Sequence, residues 1–347
     1  MSEPRSTPCT RLSEVMEISP DSVNRFWWRE SYEPKDLFNQ AKSALNLEGG
    51  TFSVDDSTLD KPYSQYMALV GHFWSGKHPR VVKGINLITL YYTDSHGQHL
   101  PVNYRLDDKS EGKTQNDSFP DMLAQVLAWG LKPVVVTGDS WYSGTANLNT
   151  VKNYHRRFLL VVESNRTVSI QPSHWIQVKE LDLPEDGLMV WLPNFGKVKR
   201  FRTQLKDQLR HYVVHLTDTQ PLSRFDCTAF QHYHDHHWQI EQYHRVIKPV
   251  CHLERFQIRQ EVASRNHLFT ALCGYVYLQR LKATDVIANA YRLQSDWFNN
   301  VVASRITLIL NLASRSMRKS YSHFYTHLNF PKLLLKLSCF FNQEQLY

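Results

Sequence analysis

Cysteine is scarce in this chain: five residues (Cys9, Cys227, Cys251, Cys273 and Cys339) in 347, with no Cys-x-x-Cys pair. That excludes a disulfide framework and a cysteine zinc ribbon, and points to a reducing compartment. Glycine (13) and proline (15) are too few for a collagen-like or low-complexity chain. No apolar run reaches the roughly 18 residues of a membrane span. The best candidate, Val301 to Ala313, is interrupted by Arg305. The N-terminal stretch has no apolar core of the kind a secretory signal needs, so a cytoplasmic protein without membrane contact is expected. There is no G-x-x-x-x-G-K-[ST] phosphate loop and no G-x-S-x-G elbow, which removes the usual signatures of ATP-driven and serine-hydrolase chemistry.

What is present is apolar and aromatic residue in quantity, 42% and 12%, enough to build a core. The net charge of +7 is unevenly placed. From Phe201 onward there are 18 Lys/Arg and 10 Asp/Glu, whereas the first 200 residues carry 22 and 23. A basic C-terminal part suggests a polyanionic partner, most simply nucleic acid.

Along the chain, Thr10 to Met16 and a segment capped by Asp21 or Ser22 read as two short helices. They fit either a DNA-binding helix-turn-helix presenting Arg25 and Arg29 or a helical lead-in packed by Phe26, Trp27 and Trp28. From Thr51 the periodicity becomes that of strands. Strands are expected at 51–54, 83–94 and 100–106, helices at 119–130 and 145–155, and buried strands at 132–140 and 157–164. This alternation predicts an α/β core. Short alternating bursts between 166 and 217 predict an antiparallel β insertion, and helical periodicity resumes near His232. The expected domains are a helical N-terminal region (1–48), a first part of the core (49–165), the β-rich insertion (166–230), a core helix (231–285) and a basic helical C-terminal region (286–347).

Three carboxylates stand out by position. Asp56 follows the first strand, Asp139 ends the buried strand PVVVTG, and Glu241 lies on the helix YHDHHWQIEQYHRVIK. Side chains at the carboxyl ends of neighbouring strands converge at one edge of an α/β sheet. Carboxylates gathered there repel one another unless cations neutralise them. Hard divalent ions, Mg²⁺ above all, suit such oxygen donors and leave positions for a phosphate substrate. At 100° per residue, His234, His237, Glu241, His244, Arg245 and Lys248 share one side of the helix, with Ile240, Tyr243, Val246 and Ile247 opposite. Lys61, Arg166, Arg255 and Arg259 are further candidates for phosphate contacts. Two other readings remain open. A zinc-dependent hydrolase could use the i, i+4, i+7 set His237, Glu241 and His244. A non-catalytic DNA-binding protein would need no carboxylates.

The segments SVDDSTLDK (53–61), VVVTGDSWYSG (134–144), VESNR (162–166) and HWQIEQYHRVIK (237–248), in that order, resemble the DDE transposases of bacterial insertion sequences. The resemblance is to the group with a Tyr-Arg-Glu-Lys signature, and it covers about 18–280. It implies an RNase H-like mixed sheet with flanking helices, a small antiparallel β insertion, and helical N- and C-terminal parts. It implies Asp56, Asp139 and Glu241 as catalytic metal ligands for two Mg²⁺, with Mn²⁺ able to substitute. Asp56 rather than Asp55 is selected because the family aspartate precedes a small hydroxyl pair, here Ser57 and Thr58. The resemblance further implies a nuclease and strand transferase that cuts the terminal inverted repeats of its element and joins the freed 3′-OH to target DNA. A homodimer would form when the ends are paired, and a bacterial, nucleoid-associated location follows. Lys248 matches the signature lysine, while His237 and His234 stand where arginine and tyrosine are usual. Trp175 and Trp191 in the insertion are candidates for stacking on a flipped base.

Overall fold

The computed structural model describes residues 9–292 apart from 172–173, 206–207, 218–221, 285–286 and 288. The expected basic C-terminal helices and the apolar stretch 301–313 therefore lie outside the described residues.

Three short helices open the described residues: α1 (Cys9–Met16), α2 (Pro20–Arg29) and α3 (Pro34–Ala41). The Ser19 hydroxyl accepts the Asp21 amide to start α2, with Pro20 pre-set for a first helical position. Four strands follow: β1 (Thr51–Asp60), β2 (Gly71–Ser75), β3 (Arg80–Thr93) and β4 (His99–Leu106). The turn between β3 and β4 is tied by Asp94, whose carboxylate accepts the amides of His96 and Gln98. Then come α4 (Gln115–Ala128), β5 (Val135–Gly138), α5 (Thr145–Asn153) and β6 (Arg157–Val162). Helix α4 begins four residues before the sequence pattern suggested. A reciprocal cap between Thr114 and Asp117 fixes its start, and Pro120 is carried inside it. Strand β2 was not legible, because five residues flanked by irregular chain offer little periodicity.

In the sheet, β1 pairs antiparallel with β3 and parallel with β5, and β5 pairs parallel with β6. The C-terminal half of β3 carries β4, and its N-terminal half carries β2. The order β4-β3-β1-β5-β6, with three antiparallel strands followed by two parallel to the first, is the RNase H-like arrangement expected from the sequence.

The insertion supplies β7 (Thr167–Ser169), β8 (Trp175–Gln177), β9 (Leu188–Leu192), β10 (Gly196–Leu205) and β11 (Gln208–His215). It is not a separate lobe. Strand β11 pairs antiparallel with β6, so the sheet runs on without a break through β11, β10, β9, β7 and β8. A cluster of Leu159, Phe201, Tyr212, Val214, Phe225 and Phe230 packs this junction.

Two long helices complete the described residues, α6 (Cys227–Val250) and α7 (Glu261–Ala283). Asp226 caps α6 by accepting the Ala229 amide at 2.8 Å. Helix α7 receives the N-terminal helices: the Asn266 amide donates to the carbonyls of Trp27 (2.8 Å) and Glu30 (2.7 Å), and Tyr32 stacks on Phe269. The second helix of the possible helix-turn-helix is thus packed onto the core by its Trp27 side. Among the described residues no helix is long and apolar enough to cross a membrane.

Candidate active site

Alternation along β1 decides what each of its residues meets. Thr51, Ser53 and Asp55 face α6. The Thr51 hydroxyl lies 2.9 Å from His236 Nδ1, and Ser53 Oγ lies 2.8 Å from Thr137 Oγ1 of β5. Thr137 in turn meets His237 Nδ1 at 3.2 Å. Two residues further on, Asp55 Oδ2 lies 3.4 Å from His244 Nδ1. The even-numbered residues face the other way. Phe52 packs edge-on against Tyr92, and Asp56 accepts a hydrogen bond from Gln115 Nε2 at the start of α4.

Strand β5 delivers Asp139 beside β1. Gly138 allows this closeness: a Cβ there would come within 2.7 Å of Val54 Cγ1. The Asp139 carboxylate caps the short turn that follows, accepting the Trp141 amide at 3.0 Å. The outcome is one compact group in which carboxylate oxygens of Asp55, Asp56 and Asp139 all lie within 4.8 Å of one another.

The electrostatics match the crowding. Burial pushes the Asp55 carboxyl well above the ordinary carboxylate range, with Glu241 and Asp56 adding repulsion, while Arg210 on β11 opposes them. Asp139 is raised the same way, by burial and then by Asp55 and Asp56. Asp56 is raised by burial, with Asn86 holding it down. Three carboxylates that cannot all ionise comfortably are hard oxygen donors short of a cation, and this is the condition a divalent ion relieves. The buried hydroxyl of Tyr142, beside Asp56 and Asp139, has no hydrogen-bond partner. The donor set fits a hard divalent cation.

The two β1 aspartates divide the sequence expectation. Asp56 does belong to the group, but Asp55 faces the helix that carries Glu241, and Glu241 is the charge Asp55 feels most. Sequence reasoning saw the Asp55-Asp56 pair and had no means of telling which face of β1 would meet α6.

The expected polar stripe of α6 is split by packing. His237 and His244 are buried together with Ile240, Tyr243 and Ile247 against the sheet. Burial lowers His237 to about 3 and His244 to about 4, so both are neutral at physiological pH. His237, a candidate for phosphate contact, is enclosed against the sheet, with its Nδ1 3.2 Å from Thr137 Oγ1. His234 stands 3.2 Å from the Tyr212 hydroxyl and is also lowered by burial. Lys248 Nζ donates to the Thr58 carbonyl at 2.8 Å, and Arg245 is exposed over the Trp238 ring.

Lys61, another candidate for phosphate contact, forms an internal strap. It is buried, lies over Phe256, and donates to the carbonyls of Glu254 (2.6 Å) and Phe256 (2.7 Å). Arg166 is partly buried and donates to Thr145 Oγ1. A cation that sequence reasoning missed is Arg210, brought to Asp55 by the pairing of β11 with β6.

In the insertion, Trp175 and Trp191 are each directly opposite Ser169, on either side of β7, and Lys197 is opposite Trp191 on β10. Directly opposed residues share a face. The two indoles therefore stand on one face two strand spacings apart, about 10 Å, with the Lys197 ammonium 5.2 Å from the Trp191 ring centre. Among the described residues the histidines do not gather as a zinc site. Among the described residues, the group of three or more potential ligands close enough to hold an ion is Asp55, Asp56 and Asp139.

The family described as transposase DDE domain matches residues 48–277, well over half of the chain. The chain belongs to that family. No curated protein matches it. Among solved structures, the Drosophila P element transposase strand transfer complex aligns with a TM-score of 0.27 and 8% identity, over 50% of this chain and 44% of that one. So remote a likeness bears on neither fold nor function. This chain spans less than half the length of that one.

Proposed function

We propose that the protein is an insertion-sequence transposase that cuts DNA at the ends of its element and joins the freed 3′-OH to target DNA. The observation that carries this reading is the convergence of Asp55, Asp56 and Asp139 within 4.8 Å at the end of β5, in a transposase DDE domain. Asp55, Asp56 and Asp139 would hold the divalent ions, with Glu241 reaching them from α6. When bound, Mg²⁺ supplies charge stabilisation at both the attacking and the leaving oxygens of a phosphoryl transfer.

The chain's own residues do the rest. Gln115 orients Asp56, and His244, held neutral by burial, orients Asp55. Arg210 offers positive charge for a backbone phosphate beside the carboxylates. The Trp175–Trp191 face with Lys197 offers stacking surface for a base displaced from the duplex. Double-stranded terminal repeats and target DNA are the proposed partners, with a homodimer pairing two ends.

The test is Mg²⁺-dependent cleavage of a plasmid carrying the element's own ends, with wild type and Asp139→Ala side by side. Cleavage at the ends by wild type alone supports the reading. A folded wild type that binds the ends and cuts nothing overturns it in favour of a non-catalytic DNA-binding relative.

A further inference from the structure

One stretch of surface is not used by the chemistry above. Between Lys61 and Lys83 there are four Lys/Arg and two His residues, and no Asp or Glu. The same 23 residues hold Tyr63, Tyr66, Phe73 and Trp74. Large aromatics are ordinarily covered, yet Tyr63 is 95% exposed, Tyr66 74% and Trp74 52%, with Val81 at 58%. Phe73 alone turns inward.

These side chains sit on a braced platform. In the β2–β3 hairpin Trp74 is opposite Val81 and His72 opposite Lys83, so all four share the outward face. Lys83 donates to the Ser64 carbonyl and so ties the loop bearing Tyr63 and Tyr66 to the hairpin. The Lys61 strap anchors one end of that loop, and the Ala68 amide, donating to the Arg259 carbonyl at 3.0 Å, anchors the other. The Arg259 guanidinium lies 5.9 Å from the Tyr66 ring centre. Arg80 is exposed at the tip, while Lys77 and His78 both meet the Asp60 carboxylate, at 3.1 and 2.8 Å.

The platform adjoins the acidic group. The Thr58 hydroxyl donates to the Trp74 carbonyl at 3.0 Å. Thr58 is two residues past Asp56 on β1, about 7 Å along the strand.

We propose that the 61–69 loop and the outward face of the β2–β3 hairpin bind unpaired DNA next to the reacting centre. Tyr63, Tyr66 and Trp74 stack on bases, while Arg80 and Arg259 meet phosphates. Exposed cations interleaved with open ring faces, with the neighbouring Asp60 taken up by Lys77 and His78, match a polyanion that presents planar π surfaces. A protein partner would call for a continuous apolar patch. Duplex DNA hides its base planes, whereas a strand opened at a cleaved end exposes them. The inference rests on the transposase reading and adds to it where the opened strand lies.

The test uses the full chain and two fluorescein-labelled probes, a short oligothymidylate and a blunt duplex carrying the element's end, followed by anisotropy. The triple variant Tyr63→Ala/Tyr66→Ala/Trp74→Ala is expected to weaken oligothymidylate binding at least about tenfold, since stacked bases each contribute appreciably. Its duplex affinity is expected to stay within about twofold. The variant Tyr63→Phe/Tyr66→Phe/Trp74→Phe keeps the ring faces and should restore most single-strand binding. Equal oligothymidylate affinity for wild type and the alanine variant, with duplex binding intact, overturns the proposal and leaves the transposase reading standing. A wild type that binds neither probe overturns both. A dimer in light scattering that the alanine variant dissociates, with DNA binding unchanged, assigns the face to a second copy and overturns the proposal.

Discussion

His244 on α6 sets its Nδ1 3.4 Å from Oδ2 of Asp55 on β1. The contact joins the helix that carries Glu241 to the strand that carries the paired aspartates, and it is made by the aspartate that the family pattern passes over. Asp55→Asn is therefore expected to abolish end cleavage, by at least about a thousandfold, as the loss of one metal-holding carboxylate should. Asp56→Asn should cost as much only if both share the ion. Single-turnover cleavage of the two variants separates these outcomes.

Crowded carboxylates give a measurement independent of cleavage. Near neutrality Asp55, Asp56 and Asp139 repel one another within 4.8 Å. Millimolar Mg²⁺ should raise the thermal midpoint by several degrees through binding to the folded state. The rise should disappear in Asp139→Asn, which should itself melt higher than wild type without metal because one repelling charge is gone. A wild-type midpoint indifferent to Mg²⁺ would contradict the site.

Four buried histidines set the acid limit of the fold. Burial holds His99, His244 and His267 at about 4 and His237 at about 3. Their folded values lie below the unfolded value of about 6.5, so the stability from keeping them neutral is complete above that pH and is lost as pH falls toward 4. The raised Asp55, Asp56 and Asp139 act in the opposite direction, because the folded state holds their protons more tightly than the unfolded chain does. With His211, His234 and His236 also lowered by burial, seven histidines stand against three carboxylates, and urea midpoints should fall as pH drops from 6.5 toward 4. His237→Gln should flatten the slope by up to about 1.4 kcal/mol per pH unit.

Lys61 separates a structural from a DNA-binding role. Its ammonium is pulled down to about 8 by burial and serves two backbone carbonyls. Lys61→Met should destabilise the protein by about 1–3 kcal/mol by leaving those carbonyls unpaired. The slope of DNA affinity against salt should not change, because no phosphate contact is lost. Lys197→Met, on the exposed Trp191 face, should do the reverse.

Trp191 and Trp175 can be tested together, since they share one face across β7. Each alanine variant should reduce processing of ends more than duplex binding, and the double variant should exceed neither single by much if both act on one displaced base.

Much of the core could be read in advance. The continuous runs of β5 and β6, the β3–β4 hairpin and the Asp139 turn follow from apolar patterning and turn residues that act locally. The site was legible as a set of positions rather than as an arrangement. Which of Asp55 and Asp56 meets α6 depends on the pleat of β1, fixed by Ser53 with Thr137 and Thr51 with His236. Helical periodicity put His237 and His244 with the polar residues, but hydroxyl partners on the sheet turned His237 into a core residue. Lys61 looked like any surface lysine, because the carbonyls it serves are nearly 200 positions away.

The seam between β6 and β11 alters what the insertion is. Strand β6, RFLLVV, would otherwise end the core sheet with an apolar edge open to pairing by other chains. The added strands close that edge and carry the sheet outward until it stops at the three-residue β8. Excising them would leave a sticky protein as well as one without Arg210. Such an element cannot be traded between relatives as a detachable module: a donor and a recipient would have to agree, strand for strand, on how the core ends.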